Sequence, residues 1–152
     1  MPDFELIQRA EQPTAVVHER VPMKDLPQFF QRAFGEVFRA MQAQGIAPVG
    51  APFALYFGMP TDTVEVEAGF PVQRPLADAG AVHPGKLPPG KCAHATHVGP
   101  YDTMTRTYDA LMHWVQAQHL VPHDEMWEVY LSDPQREPDP KTWRTEIFWP
   151  VD

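Results

Sequence analysis

The chain carries two copies of one pattern, and that repeat narrows its possible folds more than any other feature. Laying residues 34–57 over 108–131, an offset of 74, puts Gln42-Ala43-Gln44 on Gln116-Ala117-Gln118. It also puts Pro48 on Pro122 and Tyr56 on Tyr130. Apolar positions match as well: Phe34 with Tyr108, Val37 with Leu111, Met41 with Val115, Ile46 with Leu120, Phe53 with Trp127, Leu55 with Val129. Further on the offset becomes 79, with Glu67 on Glu146, Phe70 on Trp149 and Pro71-Val72 on Pro150-Val151. Upstream, His18 falls on His97. An ordered series of matches across several elements reads as a duplicated unit. The step in offset marks a loop, where insertions are tolerated.

Each half reads strand, helix, strand, strand. In the first, Thr14–Arg20 is extended and β-branched, and Phe4–Gln8 alternates as an additional strand or a bent continuation. A helix is expected over Asp25–Gln44, with Leu26, Phe30, Phe34, Val37, Phe38 and Met41 on one apolar face and Gly45 as its stop. Phe53–Phe57 and Val64–Val72 make a hairpin around Gly58–Thr63. In the second half, Lys91–His97 is a strand and Thr103–Gln118 a helix with Met104, Tyr108, Leu111, Met112 and Val115 inward. Met126–Leu131 and Arg144–Trp149 follow as strands. The expected organisation is one domain over 1–152. Repeat one covers about 1–76, a glycine- and proline-rich linker 77–87, and repeat two about 88–152. The fold class is α+β: duplicated units with pseudo-twofold symmetry, antiparallel sheets and a ligand cleft between the halves. Either half alone would be marginal, with a single helix over a three-stranded sheet.

Composition excludes several alternatives. Eighteen prolines in 152 residues, more than twice the usual share of about 5%, argue against a long helical bundle, because proline breaks helix interiors. No apolar run is long enough to span a bilayer, and the N-terminus lacks a secretory leader pattern. A single cysteine, Cys92, allows no internal disulfide, which suggests a cytoplasmic protein. The net charge of −8, with lysines and arginines scattered singly, disfavours direct nucleic-acid binding and suits a cationic or neutral small ligand or a basic protein partner. Cys92, His94 and His97 have metal-ligand chemistry, but on one strand His97 points away from the other two, so no metal is expected. No nucleotide, dinucleotide or serine-hydrolase motif occurs, and no cofactor is expected.

Alternation along the strands groups the residues that could carry chemistry. Trp127, Val129 and Leu131 share a wholly apolar face, expected to lie under the helix. Glu128 and Tyr130 share the other, expected to face the opposite half. Glu146 and Phe148 share a face of the last strand. By the repeat, Tyr56 is the mate of Tyr130 and Glu67 of Glu146. Glu128 is then either a solvated residue of a half-exposed sheet or the acid of a cleft walled by Tyr56 and Tyr130. Glu146 either joins that cleft or pairs with Arg144 or Lys141 at the surface. Tyr101 either lines the cleft or packs at a tight turn.

Three motifs bear on that choice: Gly99-Pro100-Tyr101-Asp102, then Glu128-Val129-Tyr130 followed by Asp133-Pro134, then Thr145-Glu146-Ile147 with Pro150-Val151. With the run Pro88-Pro89-Gly90-Lys91-Cys92-Ala93, they resemble the GyrI-like small-molecule-binding family, which includes effector-binding domains of AraC-type regulators. The resemblance covers nearly the whole chain, more loosely in the first half. It implies two strand-helix-strand-strand units with a ligand cleft, and a glutamate and aromatics that hold lipophilic, often cationic compounds. Together with the repeat and the strand alternation, it makes Tyr56, Tyr101, Glu128, Tyr130, Glu146 and Phe148 the expected ligand contacts, in a stand-alone member without a DNA-binding module. The leading expectation is binding or sequestration of amphipathic aromatic or cationic molecules. One alternative is hydrolysis of a strained-ring electrophile, with Glu128 as acid/base and Tyr130 orienting the substrate. Another is a protein-interaction module of the gyrase-protecting type.

Overall fold

The computed structural model describes residues 4–58, 61–132 and 136–152. Met59 and Pro60 of the expected turn, and Asp133 and Pro134 of the second motif, lie outside them. Eight strands and two helices follow one another as β1 (Phe4–Arg9), β2 (Gln12–Pro22), α1 (Leu26–Ala43), β3 (Phe53–Phe57), β4 (Thr63–Pro71), β5 (His83–Leu87), β6 (Gly90–Val98), α2 (Met104–Ala117), β7 (Glu125–Tyr130) and β8 (Arg144–Pro150). The fold is α+β, and the pairings within each unit are antiparallel. Among the described residues no helix is long and apolar enough to cross a membrane.

The chain divides into two compact units, residues 10–89 and residues 90–152 with β1. In the N-terminal unit β4 pairs with both β2 and β3, and β5 adds to the outer edge of β2. In the C-terminal unit β8 pairs with both β6 and β7, and β1 adds to the outer edge of β6. Each unit is thus strand, helix, strand, strand plus one borrowed edge strand. Phe4–Arg9 is a strand in its own right. His83–Leu87 pairs as a strand inside the stretch read as connector. Its Pro84 and Gly85 are poor strand formers, and an edge position tolerates proline.

The repeat recurs in backbone detail. Pro48 bridges Val72, and Pro122 bridges Val151. Val49 N–H donates to the Pro71 carbonyl at 3.0 Å, and His123 N–H to the Pro150 carbonyl at 2.9 Å. Phe53 opposes Gly69, and Trp127 opposes Phe148. The match of His18 to His97 is different. His18 opposes Glu67, whereas the residue opposing Glu146 is Thr96. The first strands correspond at 78, so the two histidines stand on opposite faces, because one residue of slip reverses a strand's face.

The helices cover one face of their own strands. α1 packs on β2 and β4 through Phe29, Ala33, Val37 and Met41, and α2 packs on β6 through Met104, Thr107, Leu111 and Val115. Val37, Met41, Met104, Leu111 and Val115 are buried as expected, while Phe29, Ala33 and Thr107 take the place of their neighbours Phe30, Phe34 and Tyr108. Phe30, Phe34 and Tyr108, expected as core, are half-buried, and Phe38 is 42% exposed. An apolar arc wider than the contact leaves its flank uncovered by the helix's own strands. Gly45, at φ +68°, ends α1 in the left-handed conformation. Asp25 and Thr103 occupy the N-cap positions without a side-chain capping bond.

Candidate functional site

Glu128 lies on β7 opposite Ile147 of β8, which puts it on the α2 side of the C-terminal unit. Tyr108 of α2 donates its hydroxyl to Glu128 Oε2, and Tyr130 donates to Glu128 Oε1 at 2.8 Å. One carboxylate therefore holds two phenols, one from the helix above and one from its own strand. Tyr108 also reaches the Met126 sulfur at 3.9 Å, and its ring meets Trp149 edge-on at 6.2 Å. Trp149 is fixed in turn by its indole N–H, which donates to the His123 carbonyl.

The acid side of Glu128 is enclosed although the residue keeps some surface exposure. Burial penalises the charged form and raises its pKa above the ordinary 4.5. The hydroxyl bonds from Tyr108 and Tyr130 and the electrostatic influence of His97 pull the other way without cancelling that rise. The result is an acid that gives up its proton less readily than a free one and sits among rings.

Tyr101 leads the short 3-10 turn Tyr101–Thr103 and is 42% exposed. Its ring meets Tyr130 edge-on at 6.1 Å and Trp143 at 5.1 Å. Trp143 anchors its own loop by donating its indole N–H to the Glu137 carbonyl. His97, 4% exposed and pointing toward α2, holds the turn from beneath. Its Nε2 lies 3.0 Å from the Pro100 carbonyl and its Nδ1 2.7 Å from the Thr107 hydroxyl. Nε2 donates to the Pro100 carbonyl, and Nδ1 shares a hydrogen bond with the Thr107 hydroxyl. Replacing His97 with alanine is expected to lose about 1–3 kcal/mol, the usual penalty for buried groups left unpaired. Chemical denaturation measures the loss.

The expected face assignment for β7 is reversed. Glu128 and Tyr130 lie under α2, while Trp127 stacks on Phe148 at 5.4 Å on the other face. An all-apolar face signals the helix side only when the opposite face is bare. Here the opposite face is also furnished: the Arg9 guanidinium of β1 sits 4.6 Å above the Phe148 ring, and His94 stacks on it at 4.7 Å. Glu146, also on that face, lies 3.5 Å from His94 Nε2 and opposes Thr96, which is not the expected pairing with Arg144 or Lys141. The structure therefore brings Tyr101, Glu128 and Tyr130 together and separates Glu146 and Phe148 from them. Tyr56, in the N-terminal unit, opposes Val66 on the α1 side of β3.

Sequence reasoning missed Tyr108 and His97 as partners of this group. Tyr108 was legible as the residue matched to Phe34 that gained a hydroxyl. Cys92 and His94 face away from His97, and among the described residues no three histidine, cysteine or acidic side chains converge on a metal position. Cys92 is buried beside Arg9, and burial pushes its thiol pKa up to about 11. A thiol that stays protonated is a poor nucleophile.

The model of the GyrI-like small molecule binding domain family matches residues 2–152. Among curated proteins none matches this sequence. The crystal structure of the EcmrR C-terminal domain superposes with a TM-score of 0.88 at 22% identity, covering 100% of this chain and 98% of that one. EcmrR in its DNA complex gives 0.87 at 22% identity over 99% of this chain, which spans only 57% of that longer protein. SAV2435, solved bound to tetraphenylphosphonium, gives 0.72 at 16% identity over 99% of this chain and 94% of that one.

Proposed function

Because the chain belongs to the GyrI-like small-molecule-binding domain family, we propose that it binds lipophilic aromatic cations at Glu128 of the C-terminal unit. The observation that carries this reading is the single carboxyl group enclosed by rings, with Tyr108 and Tyr130 both hydrogen-bonded to it. A delocalised cation sheds its water at little cost, gains the carboxylate, and lies against ring faces, where each cation–π contact contributes about 0.5–2 kcal/mol. The likeness to SAV2435, which takes tetraphenylphosphonium, supports the same ligand class.

Tyr101, at the exposed edge of the group, closes over the bound molecule, and the two phenols orient the acid. Isothermal titration with tetraphenylphosphonium tests the reading. It expects saturable binding at one cation per chain. No heat or displacement with any of a panel of lipophilic cations would remove it. Tyr108→Phe and Tyr130→Phe each delete one hydrogen bond to the carboxylate and should weaken binding by about fivefold to tenfold, at roughly 1 kcal/mol per bond. Equal affinity in both variants would exclude the phenols from the site.

The raised Glu128 carboxyl also favours a second reading, general acid catalysis on a strained-ring electrophile. Mass spectrometry of such a compound incubated with the protein distinguishes it. Turnover abolished by Glu128→Gln would support catalysis, and unchanged compound would leave binding alone.

A further inference from the structure

The outer edge of β2 is only partly covered. β4 lies along one side of β2 from Thr14 to Pro22, and β5 lies along the other from Gln12 to Val16 only. Among the described residues no strand pairs with the β5 side of β2 beyond Val16. Prolines decide which residues face that side. Pro71, opposite Thr14, and Pro84, opposite Ala15, have no N–H to give. Thr14 therefore turns its backbone groups to β5, and Ala15 turns its own to β4. The Val72 N–H, which donates to the Pro13 carbonyl at 3.0 Å, agrees. Alternation then aims the backbone groups of Val17, Glu19 and Val21 at β4. Those of His18 and Arg20 point out from the open edge, where an added strand could pair with them.

A cavity of about 320 Å³ adjoins this stretch, between β2 and the first turns of α1, with Glu19, Val21, Asp25, Phe29 and Arg32 in its walls. In the C-terminal unit the corresponding space under the turn is held by His97, which bonds to the Pro100 carbonyl. The first strands correspond at 78, so the counterpart of His97 is Glu19, which reaches Arg32 at 2.6 Å and leaves its turn unsupported. Val21 and Phe29 are buried and make part of the wall apolar. The guanidiniums are committed: Arg32 lies over the Phe29 ring and pairs with Glu19 and Glu36, and Arg20 pairs with Glu65. Asp25 is not. It stands at the N-cap of α1 without a capping bond, and among the described residues its carboxylate has no hydrogen bond or ion pair.

We propose that the free edge of β2 takes an extended segment of a partner protein as an added strand, with a lysine or arginine of that segment in the cavity beside Asp25. The register follows from the pleat. A residue opposite Glu19 projects its side chain to the same side as Glu19, and its two neighbours bond to the outward groups of His18 and Arg20. The basic head meets the open carboxylate of Asp25 and a cross-strand acid in Glu19, and its alkyl stem lies along Val21 and Phe29. The net charge of −8 suits a basic partner. All of this belongs to the N-terminal unit, whereas Glu128 belongs to the C-terminal unit, so the proposal stands apart from the cation site.

The probe is a capped pentapeptide, Thr-Val-Lys-Val-Thr, titrated into the full 15N-labelled chain. Saturable binding that moves the amide resonances of His18 and Arg20 is expected. Methylating both valine nitrogens removes two donors and puts methyl groups against the edge, and should weaken binding about tenfold or more. Glutamate in place of the lysine should weaken it about tenfold. Asp25→Asn should weaken the lysine peptide about threefold to fivefold, the upper range for a surface ion pair, and leave tetraphenylphosphonium binding unchanged. The peptide variants leave the chain untouched, so they carry the test whatever Asp25→Asn does to folding. No binding, shifts that spare His18 and Arg20, or equal binding of the methylated peptide would overturn the added strand. Binding indifferent to both the lysine and Asp25 would overturn the basic partner.

Discussion

Glu128→Gln should weaken tetraphenylphosphonium binding by about thirtyfold or more, since losing one partner of a desolvated charge pair costs about 2 kcal/mol or more. Glutamine keeps the shape and one carbonyl acceptor for the phenols of Tyr108 and Tyr130, so the loss reports charge. The same substitution should stabilise the unliganded protein near neutral pH. The native carboxyl titrates above 4.5 because burial disfavours its anion. Between the unfolded value and that raised native value the folded chain holds the extra proton, so stability falls as pH rises through the window. Stability from this group is fully present below the unfolded value and lost above the native one. Glutamine has no proton to lose, and its urea midpoint should show no such fall. The groups facing the carboxyl are Tyr108 from α2, Tyr130 from β7 and His97 from β6, and none of them removes the burial penalty. Cation affinity has the opposite slope: it rises with pH through the same window, because only the anion pairs with the ligand. An affinity equal in native and Glu128→Gln protein at every pH would contradict the assignment.

Gly69→Ala should be the most damaging single substitution away from the site. A Cβ on Gly69 would lie 1.8 Å from the Ala15 carbonyl oxygen and 2.9 Å from its carbon, both backbone atoms of β2. Backbone in a paired strand cannot step aside as a side chain can. Ala15 and Val16 are buried there, so the strand has no free side to move toward. The expected cost is about 3 kcal/mol or more, at the upper end for overpacking. Thermal or urea unfolding measures it. A loss under about 1 kcal/mol would show that β2 yields at this point.

The element order was legible in the chain because periodicity and turn residues agree in both halves. The offsets of 74 and 79 align Phe34 with Tyr108 and Phe70 with Trp149. Phe34 meets Phe70 edge-on as Tyr108 meets Trp149, which is what the alignment anticipates. Which face of β7 meets α2 was not legible. Trp127 and Glu128 alternate equally well either way, and the deciding residue, Arg9 over Phe148, comes from a strand more than a hundred residues away in sequence. The pairing of His18 with His97 looked like part of the repeat and was coincidence, since a one-residue offset in the first strand leaves the apolar pattern almost intact. β5 was hidden by Pro84 and Gly85, whose local preference an edge position overrides. The grouping of Tyr101, Glu128 and Tyr130 needed only alternation and one turn. Excluding Glu146 and Phe148 needed the tertiary structure, because same-strand alternation does not say which face of β8 matches which face of β7.

The account comes down to a carboxylic acid enclosed by rings, whose pKa burial raises and which pairs with a cation as its anion. Calorimetric titration of tetraphenylphosphonium just above pH 4.5, repeated in buffers of different ionisation enthalpy, counts protons released per cation bound. Protons should leave the native protein on cation binding, fewer as pH rises, and none from Glu128→Gln, as linkage requires of a group that binds ligand only when ionised. Cation binding of undiminished strength in Glu128→Gln, with no proton released from the native chain, would contradict it.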